Sequence, residues 1–514
     1  MNFDYIIIQA GGKGTRLGHL TANKPKGIVP VKNLPMIFHL FNKYKNKKFI
    51  IICDYLHEVL EKYLAVFASV DFKCVVASTK GTCAGIKEAI SFIPENEPFM
   101  ISWSDLIFNN EFDESVVKGN AIGTPVDFEC RWSFKDGKFI EEKSVNHGVA
   151  GVFFFENKKI LEDVPSEGEF VRYLSTKSVV FQDVKLLGVK EVGTLLAYDS
   201  EQKENVCRPF NKIEIIDGKL YKTAISEQGK KIAVDEVNWY RFAKQKLNND
   251  YLPEIYSFSP LCMELIEGKN AFKLQLNDQE KQKVLFNCVN GLKYLHGIEE
   301  IPVDESSILK CYYEKTWDRL DKVQDLIPFA KSEFITINGV SYKNPYFVKE
   351  EIKNIVERYF LKDTKFCFCH GDPTFSNIIV KDDLSIVFID PRGYFGNTKL
   401  YGDPYYDFAK LYYSFFGNYD QFNNKNFILD INSDSIELNI QSSGFEFLER
   451  QYFDLLKEYD SKKIKFLHSL IWLSLTTYAW DDYDSICGAF YKGTVILNEA
   501  LKEYSRWKNT MKIY

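Results

Sequence analysis

No C-x-x-C pair occurs among the 11 cysteines of this 514-residue chain, and an odd number cannot all pair. That argues against a disulfide framework, and the cysteines read as reduced thiols of a cytoplasmic protein. Long apolar runs are missing too. The longest, Val149 to Phe155, falls far short of the ~20 residues that cross a bilayer, so no membrane insertion is expected. The start, MNFDYIII, has an early Asp4 and no basic segment ahead of its apolar run, so no signal peptide is expected. Basic charge is in deficit: 65 Lys and Arg face 71 Asp and Glu, giving a formal charge of −6, and no nucleic-acid partner is expected. Internal repeats are absent. The only biased stretch is the Asn-rich segment 417–434, expected as a loop.

What is present is globular. Hydrophobic residues at 45% and charged ones at 26% exclude a disordered chain, and the length allows roughly three or four folding units. Short buried-type runs at 5–8, 49–53, 72–77 and 99–103 alternate with helical segments near 34–41, 57–68 and 84–92. Such alternation predicts a doubly wound α/β sheet with parallel strands. The first unit closes near Gly193 to Tyr198, and the polar stretch Asp199 to Val206 reads as a linker. Beyond it, strands at 212–216 and 219–225 flank Asp217-Gly218, a type I′ hairpin signal. A helix near 234–247, a strand ending at 262–268, and a mostly helical remainder from about 275 follow. Two short strands, 366–369 and 386–389, interrupt that remainder, with Cys367 and Cys369 on one strand face.

The first chemical constellation follows the first strand: Gly11-Gly12-Lys13-Gly14-Thr15-Arg16-Leu17. Glycines without a Cβ let backbone N–H groups approach phosphates, and Arg16 adds a forked cation. No G-K-[ST] follows, so this is not a Walker A loop. Continued through Lys24-Pro25-Lys26 and Pro30-Val31, the string resembles the signature of sugar-phosphate nucleotidyltransferases. Gly81-Thr82-x-Ala84-Gly85 resembles that family's base-contacting loop, and Ser104-Asp105 its metal-binding aspartate. Glu191-Val192-Gly193-Thr194 resembles a D-x-G-T element with Glu in place of Asp. The resemblance implies nucleotide binding at Gly11, Gly12, Gly14, Thr15, Gly81 and Thr82, Mg²⁺ at Asp105 and Glu191, and catalytic cations at Arg16 and Lys26.

The second constellation is His370-Gly371-Asp372-Pro373-Thr374-Phe375-Ser376-Asn377, followed by Asp390-Pro391-Arg392-Gly393. The Asp-to-Asn spacing equals that of the kinase catalytic loop, where one Asp handles a hydroxyl proton and Asn and a second Asp reach the metal. It resembles the H-G-D-x-x-x-x-N loop of the aminoglycoside phosphotransferase/choline kinase family. That implies Asp372 as catalytic residue and Mg²⁺ at Asn377 and Asp390. It also implies Lys222 as the phosphate-binding lysine with Glu236 as its ion-pair partner, and Glu264 in an adenine-contacting hinge. Lys230 and Lys231 are rivals of Lys222 in what reads as a polar turn. His370 reads as a brace of the loop. Asp403 and Asp407 read as substrate ligands or, for Asp403, as the cap of a helix starting at Pro404.

Together the resemblances imply a nucleotidyltransferase domain at 1–200, Rossmann-like, and a bilobal protein-kinase-like α+β domain at 208–514, with an N-lobe at about 208–268 and a helical C-lobe at about 269–514. They imply a bifunctional, cytoplasmic enzyme of surface-glycan or capsule precursor synthesis. It would phosphorylate a small alcohol, a sugar rather than an amino alcohol by a small margin, with ATP and join the product to a nucleotide from a second NTP, using Mg²⁺ in both domains. The alternatives are a non-catalytic kinase-like module, or a choline-like amino alcohol with CTP. For the latter, Tyr478, Trp480, Asp481, Asp482, Tyr483 and Asp484 would form an aromatic and acidic box. The sequence leaves the alcohol, the second NTP and the oligomeric state open.

Overall fold

The structure, a computed structural model, describes residues 1–109, 111–202, 211–225, 227–248, 251–361 and 365–511. The chain divides into two compact units. One comprises Met1–Val206 with Asp481–Asp484, the other Cys207–Trp480 with Ser485–Tyr514.

The first unit is built on a seven-stranded sheet in the order Gln182–Lys185, Ala121–Thr124, Val152–Phe155, Phe99–Trp103, Tyr5–Gln9, Lys48–Cys53, Asp71–Val76. Tyr5–Gln9 pairs in parallel with both Lys48–Cys53 and Phe99–Trp103, whereas Val152–Phe155 runs antiparallel to its neighbours. Continuous apolar strands suit a sheet covered on both faces. Ile7, Ile50, Ile101 and Phe153 accordingly lie in one buried cluster with Ile86 and Phe170 from helices, and each such side chain contributes ~1.5–3 kcal/mol by leaving water. The chain therefore carries its glycine turn and Asp105 at the carboxyl ends of adjacent central strands, where open α/β sheets bind ligands.

The second unit opens with an antiparallel sheet in the order Asn211–Ile216, Lys219–Ala224, Leu261–Glu264, Ile255–Phe258. Its first turn has positive φ at Asp217 (49°) and Gly218 (72°), as a type I′ hairpin requires. The helix Glu227–Lys246 packs Trp239, Tyr240 and Ala243 inward. Beyond it, Ile378–Val380 and Ile386–Phe388 pair antiparallel, and Lys365–Phe368 leads into the Asp372 loop. The helix Pro404–Phe415 begins at a capping Asp403, whose carboxylate accepts the Tyr405 N–H (3.0 Å).

Several expectations are corrected. The stretch read as a linker starts as helix, Leu195–Gln202, because the Thr194 hydroxyl accepts the Ala197 N–H (3.2 Å) and starts a turn. The rest of that linker, 203–206, and Cys207 lie outside the described residues. Lys230 and Lys231 are in the helix Glu227–Lys246, not a turn, since Glu, Gln and Lys are good helix formers. The Asn-rich segment is not a loop. Tyr419–Asn423 is helical with Tyr419 and Phe422 buried, and Phe427–Ile431 pairs with Ile436–Ile440 in a four-stranded sheet completed by Phe334–Ile337 and Val340–Lys343. Residues 481–484 group with the first unit rather than with 208–514: Lys24, almost fully buried, pairs with Asp482 (2.9 Å) and with Asp484. One ammonium of the chain itself thus already sits between those two acids. The ten cysteines among the described residues are free thiols, with the Cys367 and Cys369 sulfurs 3.4 Å apart on one side of their strand. Among the described residues no helix is long and apolar enough to cross a membrane.

Trp239 ties the helix Glu227–Lys246 to the chain entering the Asp372 loop. Its indole N–H donates to the Cys369 carbonyl (2.8 Å) and its ring stacks on Phe368 at 4.6 Å. Trp239→Ala is expected to lower unfolding stability by ~3–5 kcal/mol in denaturant titration of the full chain. A loss below about 1 kcal/mol would show that this contact does not carry the packing.

Candidate active sites

In the first unit the turn after Tyr5–Gln9 places Gly14 in the left-handed region (φ 68°, ψ 35°), open to glycine without strain. The N–H groups of Gly12, Lys13 and Gly14 bond to no other described residue, which leaves a row of donors of the kind that receives phosphate oxygens. The Gly81–Thr82 loop is held from behind. A Cβ on Gly81 would collide with the Gly168 carbonyl, the Thr82 hydroxyl accepts the Phe170 N–H (2.8 Å), and the Gln9 amide donates to the Thr82 carbonyl (2.9 Å).

Asp105 and Glu191 are far apart in sequence but meet through strand pairing. Lys190–Glu191 runs antiparallel to Leu106–Ile107 with Glu191 opposite Leu106, and the Val192 N–H donates to the Asp105 carbonyl (2.9 Å). Lys26 pairs with Asp105, and Arg16 reaches Glu191 at 3.4 Å. A Cβ on Gly193 would collide with Glu191 Oε1, Asp105 Oδ2 and Arg16 Nη2, so the three groups converge on a spot that only glycine leaves clear. Burial would raise the Asp105 carboxyl, but Lys26 outweighs it and holds the group below the usual carboxylate range. Burial and the Asp105 charge push Glu191 up. Two crowded carboxylates beside a phosphate-type turn are a donor set that fits a hard divalent cation.

In the second unit Lys222, from the hairpin strand, lies 2.9 Å from Glu236 Oε1 and 2.8 Å from Asp390 Oδ1. Glu236 is buried and the Lys222 side chain is 10% exposed, whereas that of Asp390 is 50% exposed. Burial raises Glu236 to about 7 against the pull of Lys222. Asp390 has φ 57°, a costly conformation for a residue with a Cβ, and this turns its carboxylate toward the lysine. Asn377 donates its amide to the Asp372 carbonyl (2.9 Å) and carboxylate (3.2 Å), leaving its amide oxygen without a partner among the described residues. That oxygen and the Asp390 carboxylate are again hard-cation donors. Glu264 turns one carboxylate oxygen to the Glu254 N–H (3.1 Å), and its own N–H donates to the Glu254 carbonyl (2.8 Å).

The Asp372 loop is braced from beneath. Asp407 accepts the N–H groups of His370 (2.8 Å) and Gly371 (2.7 Å), Ser414 that of Phe375 (2.7 Å), and Asp420 that of Ser376 (2.9 Å). Asp403 and Asp407 are both fully buried, so neither is a substrate ligand. His370 accepts the Asp372 N–H at Nδ1 (3.2 Å), so its Nε2 carries the proton donated to the Ile389 carbonyl (3.0 Å). Burial lowers its pKa, and this neutral tautomer braces the loop. Lys410, missed in the sequence, pairs with Asp372 Oδ1 at 2.8 Å. A signal for it was available: Asp403, Asp407, Lys410 and Ser414 form an i, i+4, i+7, i+11 stripe of polar residues on an otherwise aromatic helix.

His296 is buried with Nε2 3.0 Å from Asp407 Oδ2. Burial opposes its charge, yet the hydrogen bond to Asp407 raises its pKa from 6.5 to about 9. A raised pKa gives stabilisation that is complete below the unfolded value and fades as pH climbs through the folded one. The melting-temperature advantage of the wild-type protein over His296→Gln is therefore expected to shrink between pH 6.5 and 9. A difference constant across that window would show that the imidazole is neutral.

Residues 5–128 match the nucleotidyl transferase family, and residues 260–425 match the phosphotransferase enzyme family. The bifunctional protein GlmU of Methanococcus maripaludis is 27% identical over 202 residues, covering 36% of this chain and 48% of that protein. The chain thus spans about half the length of such curated relatives. Glucose-1-phosphate cytidylyltransferase of Salmonella typhimurium is 20% identical over 265 residues, covering 44% of this chain and 96% of that protein. Among solved structures, HddC of Yersinia pseudotuberculosis covers 39% of this chain and 98% of its own at 20% identity, with a TM-score of 0.34. The chain joins a segment of the nucleotidyl transferase family to a segment of the phosphotransferase enzyme family.

Proposed function

We propose that the chain is a bifunctional enzyme that phosphorylates a small alcohol with ATP and then transfers a nucleotidyl group from a second NTP to the phosphorylated product. One observation carries this reading: each unit separately brings carboxylates and a largely shielded lysine together, Lys26 with Asp105 and Glu191 beside the glycine turn, and Lys222 with Glu236 and Asp390. The two family matches and the glucose-1-phosphate cytidylyltransferase relative support it.

In the second unit Asp372 takes the proton of the substrate hydroxyl as its oxygen attacks the γ-phosphorus, and the β–γ bridging bond breaks to release ADP. Lys222 holds the phosphates, and Glu236 fixes the lysine. In the first unit an oxygen of the new phosphomonoester attacks the α-phosphorus of the second NTP and pyrophosphate leaves. The glycine turn and Arg16 bind the triphosphate, and Lys26 holds the meeting phosphates. Reactants of like charge must be positioned and screened, so geometry and charge neutralisation carry most of the acceleration. Mg²⁺, held by Asp105 and Glu191 in one unit and by Asn377 and Asp390 in the other, would supply that screening when bound. The product is an NDP-activated alcohol, of the class consumed in assembling surface glycans or capsule. Tethering two successive activities raises the local concentration of the shared intermediate.

The test is mass spectrometry of products after supplying ATP, all four NTPs and a panel of alcohols. Asp372→Asn is expected to lower ATP-dependent phosphorylation by ~10²–10⁴-fold while nucleotidyl transfer to a supplied phosphomonoester continues, and Asp105→Asn to do the converse. Normal nucleotidyl transfer with no phosphorylation of any alcohol by the wild-type chain would leave the second unit as a binding module.

A further inference from the structure

We infer that the alcohol accepted by the second unit is itself anionic, bearing a carboxylate or phosphate besides the reacting hydroxyl, and that Arg392, Arg319 and Lys315 receive that charge. The inference rests on the kinase reading of this unit and names its substrate class.

Three segments bring cations around Tyr406, and those of Lys410 and Arg392 act on Asp372 as well. Lys410 on Pro404–Phe415 pairs with Asp372 itself. Arg392, just beyond Asp390, donates to the hydroxyls of Tyr406 (3.1 Å) and Tyr394 (3.0 Å), and its guanidinium lies 4.5 Å from the Tyr394 ring centre. Lys315 and Arg319 stand one turn apart on Lys315–Val323, with the Lys315 ammonium 5.4 Å over the Tyr406 ring. Arg319 donates to the Ser474 carbonyl.

The charge balance is uneven. Asp372 answers Lys410, but among the described residues Arg392, Arg319 and Lys315 form no ion pair; their partners are phenols and a carbonyl. All three are half-buried, where unanswered like charges repel with little screening. The neighbours register that field. Burial would raise the Tyr406 phenol, yet Lys315, Arg392 and Lys410 hold it below its ordinary value, and burial with the Arg392 charge lowers Arg319. A substrate anion would answer this excess, and guanidinium forks match carboxylate and phosphate oxygens. A cationic amino alcohol would add to the repulsion.

The experiment measures ADP release by the full-length protein with small alcohols of four kinds. These are hydroxy acids (glycerate, glucuronate), a phospho-alcohol (glycerol 3-phosphate), neutral polyols (glycerol, glucose) and amino alcohols (ethanolamine, choline). The highest kcat/KM is expected in one of the two anionic arms, and which arm separates carboxylate from phosphate. The best turnover on a neutral or cationic alcohol would overturn the inference and leave the kinase reading standing; no turnover on any alcohol would overturn both. With the preferred anion, Arg392→Gln and Arg319→Gln are each expected to raise its KM by roughly 10- to 100-fold at unchanged KM for ATP, with Arg392→Lys recovering part of the loss. A rise confined to the KM for ATP would put these cations on the nucleotide and overturn the inference.

Discussion

A carboxylate that loses part of its hydration stays charged only if a cation or a row of N–H donors replaces the water. Both candidate sites are arranged under that constraint. Asp105 is nearly inaccessible and is held by Lys26. Glu236 is nearly inaccessible and is held by Lys222. Lys222 is equally dependent: burial opposes its charge, and Asp390 and Glu236 more than restore it. Each pair is therefore a fixed dipole whose position is set by the sheet or helix that carries it. Buried ion pairs of this kind are poor sources of stability, and their presence at both candidate sites is better explained by what they hold in place for an incoming anion.

The Asp372 loop shows how position is enforced without regular structure. Its backbone N–H groups have no ladder to join, and an unpaired buried N–H is costly. One helix supplies Asp407 and Ser414, and a second, short one supplies Asp420. The residues that stiffen the loop are thus separated from it by tens of positions, and their periodic spacing on Pro404–Phe415 is dictated by the helix. Lys410 falls on that same stripe, so bracing and charge delivery come from one helix face.

How much of this was legible depended on whether the signal was local. The strands at 5–8, 49–53 and 99–103 and the Asp217-Gly218 turn were readable because apolar continuity and turn chemistry act over a few residues, and the structure places them within a residue or two. The motif order carried the two-family reading for the same reason. Segment 417–434 misled because its asparagines dominated the composition while Tyr419, Phe422 and Leu429, the residues that pack, were spaced too irregularly to register. The convergence of Asp105 with Glu191 is a product of strand pairing, and no local pattern specifies which carboxylate faces which. Arg319 and Lys315 were invisible for a further reason: their meaning lies in the absence of counter-charges, which only a folded chain defines.

Backbone strain is distributed according to the same logic. Gly371 takes φ 83° beside Asp372, and there the side chain is dispensable: a Cβ would press on the Arg392 Cβ 2.8 Å away, so glycine gives both the turn and the room. Asp390 takes φ 57°, and there glycine would serve the backbone better. The side chain is retained at a cost of ~1–2 kcal/mol, and neighbouring bonds fix the geometry, with the Ile389 N–H on Asn377 (2.9 Å) and the Arg392 N–H on His370 (2.8 Å). Strain held against a cheaper residue marks a position where the carboxylate itself is needed. Asp390 meets that description, with half its side chain open and one oxygen on Lys222.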